Sequence, residues 1–389
     1  MIVLTRGRFG PPLSRVMTQV RRLGLVGRED IAKTTGLSAS TVARAIATLV
    51  DAQLLRERPE LVAEGSIGRP SIPVEIDPEH YVTIGCHIGR RTTTVSLSDL
   101  RGTVVARVGL PTPGGAPADL ARVAAQQATT LLSQHPTKAA IAAGLVAPWG
   151  DIDHPREETG RALADVLGLQ VETGEHIAAI AAAEYSARPQ DLPGSTVYVY
   201  SRDTVGFAMA NERPVGTEIS RVGRLSHFPT GGSELCRCGR TGCLEAAVSD
   251  ESVARRAHAA RVVRAPSIDL VRRAASRGSE TAHRLLCQRA QALGRIAAIV
   301  RDMVHPDRVI LCGQGFTGYR PALSVALASF AATTTLPPTD VSFTRFGAGV
   351  QEVAAGTVAL RRVYDDPLDV VEVDGPPGTG SRTHRRALG

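Results

Sequence analysis

The sequence lacks an apolar run of the roughly 20 residues that a membrane-spanning helix needs. Its first residues, MIVLTRGRFGPPLSR, contain no apolar stretch of signal-peptide length. Six cysteines in 389 residues do not make a disulfide framework. These absences predict a cytoplasmic protein with no membrane partner.

Lysine is almost missing, since Lys33 and Lys138 are the only two in the chain. Arginine therefore carries nearly all the basic charge behind the formal net charge of +7. Such a charge permits a polyanionic partner but does not indicate one, because arginine enrichment also follows from GC-rich coding.

Three regions differ in composition. Residues 14–76 have short helical patterns that end in a stretch punctuated by Gly and Pro. Residues 79–363 alternate β-branched runs with alanine-rich helical runs, which predicts α/β layers. Residues 364–389 are rich in Gly, Pro and charge without periodicity, and this composition predicts a disordered tail.

Residues 27–55, GREDIAKTTGLSASTVARAIATLVDAQLL, have the pattern of two helices around a tight turn. Gly36 suits the turn because it adopts positive φ, and Ser38 suits the N-cap of the second helix. An earlier helix, about 13–23, completes a small core. The apolar residues at helical spacing that form this core are Leu13, Val16, Val20, Leu23, Ile31, Leu37, Val42, Ile46 and Leu49.

This pattern predicts a helix-turn-helix whose second helix enters the major groove of DNA by its N-terminal part. The next segment, RERPELVAEGSIGRPSIPVEI, has a hairpin pattern typical of a wing. The alternative is a helical hairpin with a charged surface and no DNA partner. Residues 1–75 carry 11 basic and 7 acidic side chains, which favours DNA. The candidate contacts are Ser38, Ser40, Thr41, Arg44, Arg56, Arg58 and Arg69.

A second motif places three cysteines within eight residues, nine positions after a histidine. Three thiolates and one imidazole complete a tetrahedral zinc shell, which leaves no position for water and indicates a structural metal. Gly239 and Gly242 let the backbone curl around the ion. The alternative is a set of free cysteines near a surface loop. The predicted ligands are His227, Cys236, Cys238 and Cys243.

The motif HxxxxxxxxCxCGxxGCLE, preceded by a winged helix-turn-helix, resembles the ROK family of repressors, open reading frames and sugar kinases. The resemblance covers about residues 14–362. Within it, residues 82–106 and 197–216 resemble the two phosphate-binding hairpins of the family fold. The resemblance implies an α/β fold: an actin-like ATPase (ribonuclease H-like) domain of two lobes with a cleft between them, preceded by the α-helical winged domain.

The family's sugar kinases depend on groups that this sequence replaces. His87 stands where the family has the Asp of DxG, and residues 201–204, SRDT, lack the glycines of the second phosphate turn. His176 stands at the general-base Asp of NDxN, and Arg224 replaces the carboxylate of ExGH, whereas the later clamp acid is kept as Glu245. The resemblance therefore implies a regulator that is not an enzyme. The alternative is an ATP-dependent sugar kinase with an accessory DNA-binding domain.

In the family's regulators, the two-lobed region senses a sugar and forms oligomers. The resemblance thus implies a repressor of sugar or carbon metabolism genes, with double-stranded DNA and a sugar or sugar-phosphate effector as partners, acting as a homodimer or homotetramer. Arg224 and His176 favour a phosphorylated or acidic sugar. The alternative is a vestigial pocket with a solvated Arg224. Trp149 is a candidate for sugar stacking or for core packing. The candidate ligand-binding residues are Arg224, His227, Glu245 and His176.

Overall fold

A computed structural model of the chain describes residues 2–5, 10–61, 72–148, 155–187, 194–212 and 216–371. The helices are α1 Pro12–Leu23, α2 Arg28–Thr35, α3 Ala39–Asp51, α4 Pro117–Ser133, α5 Arg156–Leu167, α6 His176–Ser186, α7 Leu244–Val248, α8 Asp250–Ala259, α9 Ile268–Ser276, α10 Glu280–Val304, α11 Gln314–Thr317, α12 Leu323–Thr333 and α13 Val350–Asp365. The strands are β1 Ile2–Thr5, β2 Leu55–Glu57, β3 Val74–Ile76, β4 Tyr81–Ile88, β5 Thr92–Asp99, β6 Val104–Pro111, β7 Ala139–Ala147, β8 Val171–Glu175, β9 Ser195–Ser201, β10 Val205–Glu212, β11 Gly216–Arg224, β12 Arg308–Cys312 and β13 Asp340–Phe343.

Helices α1, α2 and α3 pack around a small apolar core and are followed by the antiparallel pair β2–β3. The predicted core is confirmed in most positions, because Val16, Val20, Ile31, Val42, Ile46 and Leu49 are fully buried. Leu23 is 41% exposed, so its predicted place in the core is wrong, and Met17 is buried instead. Gly36 has φ +69° at the turn, and Ser38 caps α3 as predicted.

The first lobe contains a five-stranded sheet in the order β6-β5-β4-β7-β8. β4, β5 and β6 are antiparallel neighbours, while β7 and β8 continue from β4 in parallel. Helices α4 and α5 cover one face, and α13 lies across β4 and β7 on the other. The approach of α13 is so close that a Cβ at Gly144 would lie 2.6 Å from the backbone oxygen of Ala355.

The second lobe contains a six-stranded sheet in the order β1-β11-β10-β9-β12-β13. Helix α6 packs on one face, together with the N-terminal half of α13. The long helix α10 and its neighbour α12 pack on the other face. Helices α6 and α13 therefore lie between the two sheets and join the lobes.

The first strand of the chain belongs to the second lobe, which the sequence did not predict. β1 pairs antiparallel with β11, in the register Ile2 with Ile219 and Thr5 with Gly216. Ile2 is buried in the core of that lobe. A strand of four residues is too short to show an alternating pattern. Its pairing partner also lies more than 200 residues away, so no local signal predicts the pairing. β1 of the second lobe thus precedes the helix-turn-helix in sequence.

One apolar core joins the helix-turn-helix domain to the first lobe and to the C-terminal end of α13. Tyr364 is buried there, donates a hydrogen bond to the Leu100 carbonyl at 2.7 Å, and lies under the Arg21 guanidinium at 4.7 Å. Val371 is also buried in this core. The tail predicted from residue 364 is therefore wrong for residues 364–371, because apolar side chains within a polar composition anchor them. Residues 372–389 lie outside the described part of the chain.

Among the helices that the structure describes, none combines the length and the apolar character needed to cross a membrane.

Candidate functional site

The N-terminus of α3 presents a cluster of hydroxyl groups. Ser38 accepts a hydrogen bond from the Thr41 backbone N–H, and its Oγ lies 3.0 Å from Ser40 Oγ and 2.8 Å from Thr41 Oγ1. A helix N-terminus attracts anions through its free N–H groups and its dipole. Arg44 is exposed one turn later. This arrangement suits a DNA phosphate at the hydroxyl cluster and leaves Arg44 available for a base edge.

The two arginines at the base of the predicted wing are engaged within the protein. Arg56 donates to Glu75 at 2.7 Å, Arg58 also binds Glu75, and Arg101 of the first lobe lies 2.7 Å from the same carboxylate. Burial alone would raise the pKa of Glu75, but the hydrogen bonds from Arg58 and Arg56 hold it below its usual value. Arg56 and Arg58 therefore tie the β2 side of the pair to β3, and Arg101 ties β3 to the first lobe. Arg69 lies outside the described residues.

The structure brings the four predicted metal ligands together. One ligand atom from each of His227, Cys236, Cys238 and Cys243 lies within 4.8 Å of all the others. The Cys238 and Cys243 sulfurs are 3.7 Å apart, and the Cys236 sulfur is 3.7 Å from His227 Nδ1. Zn–S bonds of about 2.3 Å at tetrahedral angles separate two thiolates by about 3.8 Å. The spacing therefore fits a four-coordinate metal ion.

The loop that carries these ligands, residues 225–243 (the cysteine loop), folds back on itself. Isolated bridges pair Pro229 with Cys243 and Leu235 with Thr241. Gly239 and Gly242 have φ of +84° and +73°, the conformation predicted for them. The hydrogen bonds from the backbone and the side chain of Arg240 lower the pKa of Cys238 to about 6. These hydrogen bonds favour the thiolate form of Cys238, the form that a metal ion requires, whereas burial raises the pKa of Cys243 to about 11.

His87 and His176, which the family resemblance matches to aspartates of the sugar kinases, lie against each other. His87 Nε2 and His176 Nδ1 lie 2.7 Å apart, and both side chains are buried. The Tyr200 ring meets His176 edge-on at a centroid distance of 4.5 Å. Burial, with a smaller effect of Arg202, lowers the pKa of His87 to about 3, and burial with His87 lowers that of His176 well below its usual value. The pair is therefore neutral.

The turn between β9 and β10, in the segment that resembles the second phosphate hairpin, is crowded with side chains. Arg202 binds Gln351, which in turn donates to the Tyr200 hydroxyl at 3.1 Å. The Arg202 carbonyl accepts from the Asp250 backbone at 3.1 Å, and the buried carboxylate of Asp250 lies 2.7 Å from Arg289. Burial and Asp250 raise the pKa of Asp203 in the same turn. Residues 201–204 contain no glycine, so side chains occupy the positions at which backbone N–H groups would approach phosphate oxygens.

Ion pairs cross the cleft between the lobes, and the sequence reasoning missed them. Arg90, in the turn between β4 and β5, binds Glu245 of the second lobe at 2.7 Å. Its neighbour Arg91 binds Asp203 at 3.2 Å. The signal was present in the sequence, because two adjacent arginines, Arg90 and Arg91, occupy one predicted hairpin and an acid, Asp203, occupies the other.

The predicted ligand-binding residues occupy different environments. Glu245 is buried and paired with Arg90, and His227 is one of the four residues that could hold a metal ion. Arg224 is exposed at the end of β11. His176 is only 3% exposed and neutral, so it adds no positive charge to an anion site. Trp149 lies outside the described residues.

Comparison with known protein families and curated proteins places the sequence among regulators. The profile of the ROK family matches residues 83–319. The chain is 37% identical over 385 residues to the transcriptional regulator Rv0485 of Mycobacterium tuberculosis, covering 92% of this chain and 87% of the relative. It is 23% identical to the DNA-binding transcriptional dual regulator NagC of Escherichia coli, covering 76% and 78% of the two chains.

Solved structures share the fold. A ROK family transcriptional regulator, described as a homolog of the E. coli MLC protein, superposes with a TM-score of 0.71 at 19% identity, covering 93% of this chain and 98% of that one. A ROK family glucokinase from Streptomyces griseus, in complex with glucose and AMPPNP, has a TM-score of 0.60 at 20% identity and covers 72% and 99%. The profile match and the relative at 37% identity lead to one conclusion: this chain belongs to the ROK family.

Proposed function

We propose that this protein is a DNA-binding transcriptional regulator that represses genes of sugar or carbon metabolism. The observation that carries the proposal is the exposed N-terminus of α3, where hydroxyl groups and Arg44 stand on a helix-turn-helix with a well-packed core. The names of Rv0485 and NagC support the same role. In this proposal α3 enters the major groove, and the segment that contains Arg69 contacts the backbone.

The metal that we propose for the cysteine loop is zinc, in a structural role. His227 and three thiolates fill a tetrahedral shell, so no position remains for a catalytic water. The loop leads directly into α7, whose first turn carries Glu245. Zinc would therefore fix the position of an acid that faces the cleft.

The alternative function is an ATP-dependent sugar kinase, which the shared fold and the retained Glu245 favour. Three features argue against it. Phosphoryl transfer needs a general base and donors arranged around phosphate oxygens. Here His87 and His176 are hydrogen-bonded to each other, Arg202 fills the second phosphate turn, and Arg90 holds the clamp acid. We therefore propose that the two-lobed domain is a sensor without kinase activity.

Two connections link this sensor to the DNA-binding domain. The first turn of helix α13 carries Gln351 at the cleft, and its last turn carries Tyr364 in the core shared with the helix-turn-helix. Strand β1 pairs with β11, which leads into the cysteine loop, and the chain passes from β1 into α1. A sugar or sugar-phosphate that changes the cleft would thereby reposition α3. We further propose a two-fold dimer or a tetramer, since paired modules read a palindromic site.

The proposal is tested by measuring duplex binding of the Arg44→Ala variant against an operator selected with the wild-type chain. We expect the variant to bind about 10-fold or more weakly and to lose discrimination at one base position, because a bidentate arginine contact contributes about 1–3 kcal/mol. Arg284→Ala, at an exposed position of α10, is the matched control. Unchanged affinity and base preference in Arg44→Ala would contradict this placement of the recognition helix. Sugar-dependent ATP turnover would favour the kinase instead.

A further inference from the structure

A cavity of about 390 Å³ lies between the cysteine loop, α7, α8 and the β4–β5 turn. Its walls come from both lobes. Arg90 belongs to the first lobe, and the other lining residues belong to the second. Most of its polar lining is charged. The lining arginines are Arg90, Arg237, Arg255 and Arg256.

The lining carries one more positive than negative charge. Three carboxylates face the four arginines. Glu245 pairs with Arg90 at 2.7 Å, and Glu234 pairs with Arg256 at 3.3 Å. The third, Glu251, serves both Arg237 and Arg255, the latter at 3.5 Å. Four arginines and three glutamates leave a formal charge of +1, so one guanidinium shares its counter-ion.

The surroundings of the cavity do not remove this surplus. Burial lowers the pKa of Arg256 despite Glu234, and the neighbouring Arg289 and Arg255 lower it further. A zinc ion with three thiolates and an imidazole would carry a formal charge of −1. Arg240 hydrogen-bonds to the sulfur of Cys238 and offsets that negative charge, so the positive surplus of the lining remains.

Glu245 and Arg256 each have a buried polar atom that lacks a hydrogen-bond partner among the described residues. One is the second carboxylate oxygen of Glu245, a residue that is only 7% exposed. The other is Nε of Arg256. A buried carboxylate oxygen accepts a hydrogen bond, so it calls for a donor such as a hydroxyl group. The guanidinium group calls for an acceptor such as a phosphate or carboxylate oxygen.

We propose that this cavity binds a small hydroxylated anion, with its anionic group at Arg237, Arg255 and Arg256 and a hydroxyl group donating to Glu245. The inference deepens the proposed sensor function and rests on it. A phosphorylated sugar and a sugar acid share this chemistry. Because Glu245 also holds Arg90, the ligand would compete for the ion pair that crosses the cleft. Binding at this cavity would therefore change the contact between the lobes.

The test is isothermal titration calorimetry on the full chain with glucose 6-phosphate, gluconate, inorganic phosphate and glucose as separate probes. Arg237→Gln and Arg255→Gln each remove one exposed guanidinium from the rim. Glu251→Gln removes the shared counter-ion. Arg122→Gln is the matched control, because Arg122 is an exposed arginine that pairs with Asp119 on distant α4.

We expect at least one of the two hydroxylated anions to bind more tightly than glucose and inorganic phosphate. Which of them binds identifies the anionic group. Arg237→Gln and Arg255→Gln should each weaken binding about tenfold, the effect of one charged hydrogen bond. Glu251→Gln should strengthen binding, since it frees two arginines, whereas a purely structural ion pair would give no gain. The control should bind like the wild type.

Three results would overturn the inference: no heat with either hydroxylated anion, equal binding of glucose, or equal binding by the wild type and both rim variants. Duplex binding in the absence of any sugar separates this failure from a failure of the proposed function. A chain that binds its operator but no hydroxylated anion retains the proposed regulation and loses this site. A chain that binds the anion but no DNA retains the site and loses the regulation.

Discussion

Acidification is expected to destabilise the protein through His87 and His176. Both imidazoles are buried and neutral in the folded chain, where burial lowers the pKa of His87 to about 3 and that of His176 well below its usual value. In the unfolded chain both have the ordinary histidine pKa of about 6.5. The unfolded state therefore binds more protons below about pH 6.5, and stability is lost as the pH falls from there toward about 3.

The size of the effect follows from proton linkage. Between about pH 7.5 and about pH 5, one histidine that protonates only when unfolded favours the unfolded state by about 2 kcal/mol. His87 and His176 together give about 4 kcal/mol, because neither accepts a proton in the folded chain within this range. This is a large share of the roughly 5–15 kcal/mol by which a typical domain is stable.

The assay is urea unfolding of the wild type and of the His87→Gln/His176→Gln double variant at both pH values. On acidification, the free energy of unfolding of the wild type should fall by about 4 kcal/mol more than that of the double variant. The other titrating groups are common to both proteins, so their effects cancel in this comparison. His135→Gln, which replaces a histidine outside the pair, should behave like the wild type. Equal pH dependence of the wild type and the double variant would refute a buried neutral pair.

Three further outcomes test other parts of the structure. Cys238→Ser is expected to lower the zinc content below that of Cys287→Ser and of the wild type, measured by elemental mass spectrometry, because it removes one of four ligands; equal metal content would contradict the site. Asp250→Asn removes the negative charge that pairs with the buried guanidinium of Arg289. It should lower the free energy of unfolding by about 3–5 kcal/mol. An unchanged midpoint of urea unfolding would show that the ion pair adds no stability. Tyr364→Ala should lower the free energy of unfolding by about 3–5 kcal/mol, because it opens a cavity beside the helix-turn-helix. Tyr364→Phe should lower it by only about 1 kcal/mol, because it removes just the hydrogen bond. Equal effects of the two substitutions in urea unfolding would contradict the packing role.

The sequence predicted the features that depend on residues close together in the chain. The helix-turn-helix could be predicted because Ile31, Val42 and Ile46 follow helical spacing and Ser38 is a favourable N-cap residue. The cysteine loop was readable because its ligands lie within 17 residues. In both cases local geometry alone brings the side chains together.

The features that the sequence did not predict depend on distant pairs. His87 and His176 are 89 positions apart, and Arg90 and Glu245 are 155 apart. The family resemblance identified the two histidines as replacements, but their contact depends on how the lobes pack. β1 was too short to show an alternating pattern. Tyr364 and Val371 were not predicted to be buried, because the residues around them are mostly polar. Tertiary packing, which local patterns do not encode, decides all of these.

The central claim is that a sugar-kinase fold has exchanged its phosphate-handling groups for side-chain contacts and acts through a reader of duplex DNA. Selection of fragments from genomic DNA by the full chain, followed by sequencing, tests it most directly. We expect an enriched and salt-sensitive motif of palindromic half-sites, which Arg44→Ala no longer enriches. Recovery of fragments without any shared motif, at an affinity equal to that for random duplex, would contradict it.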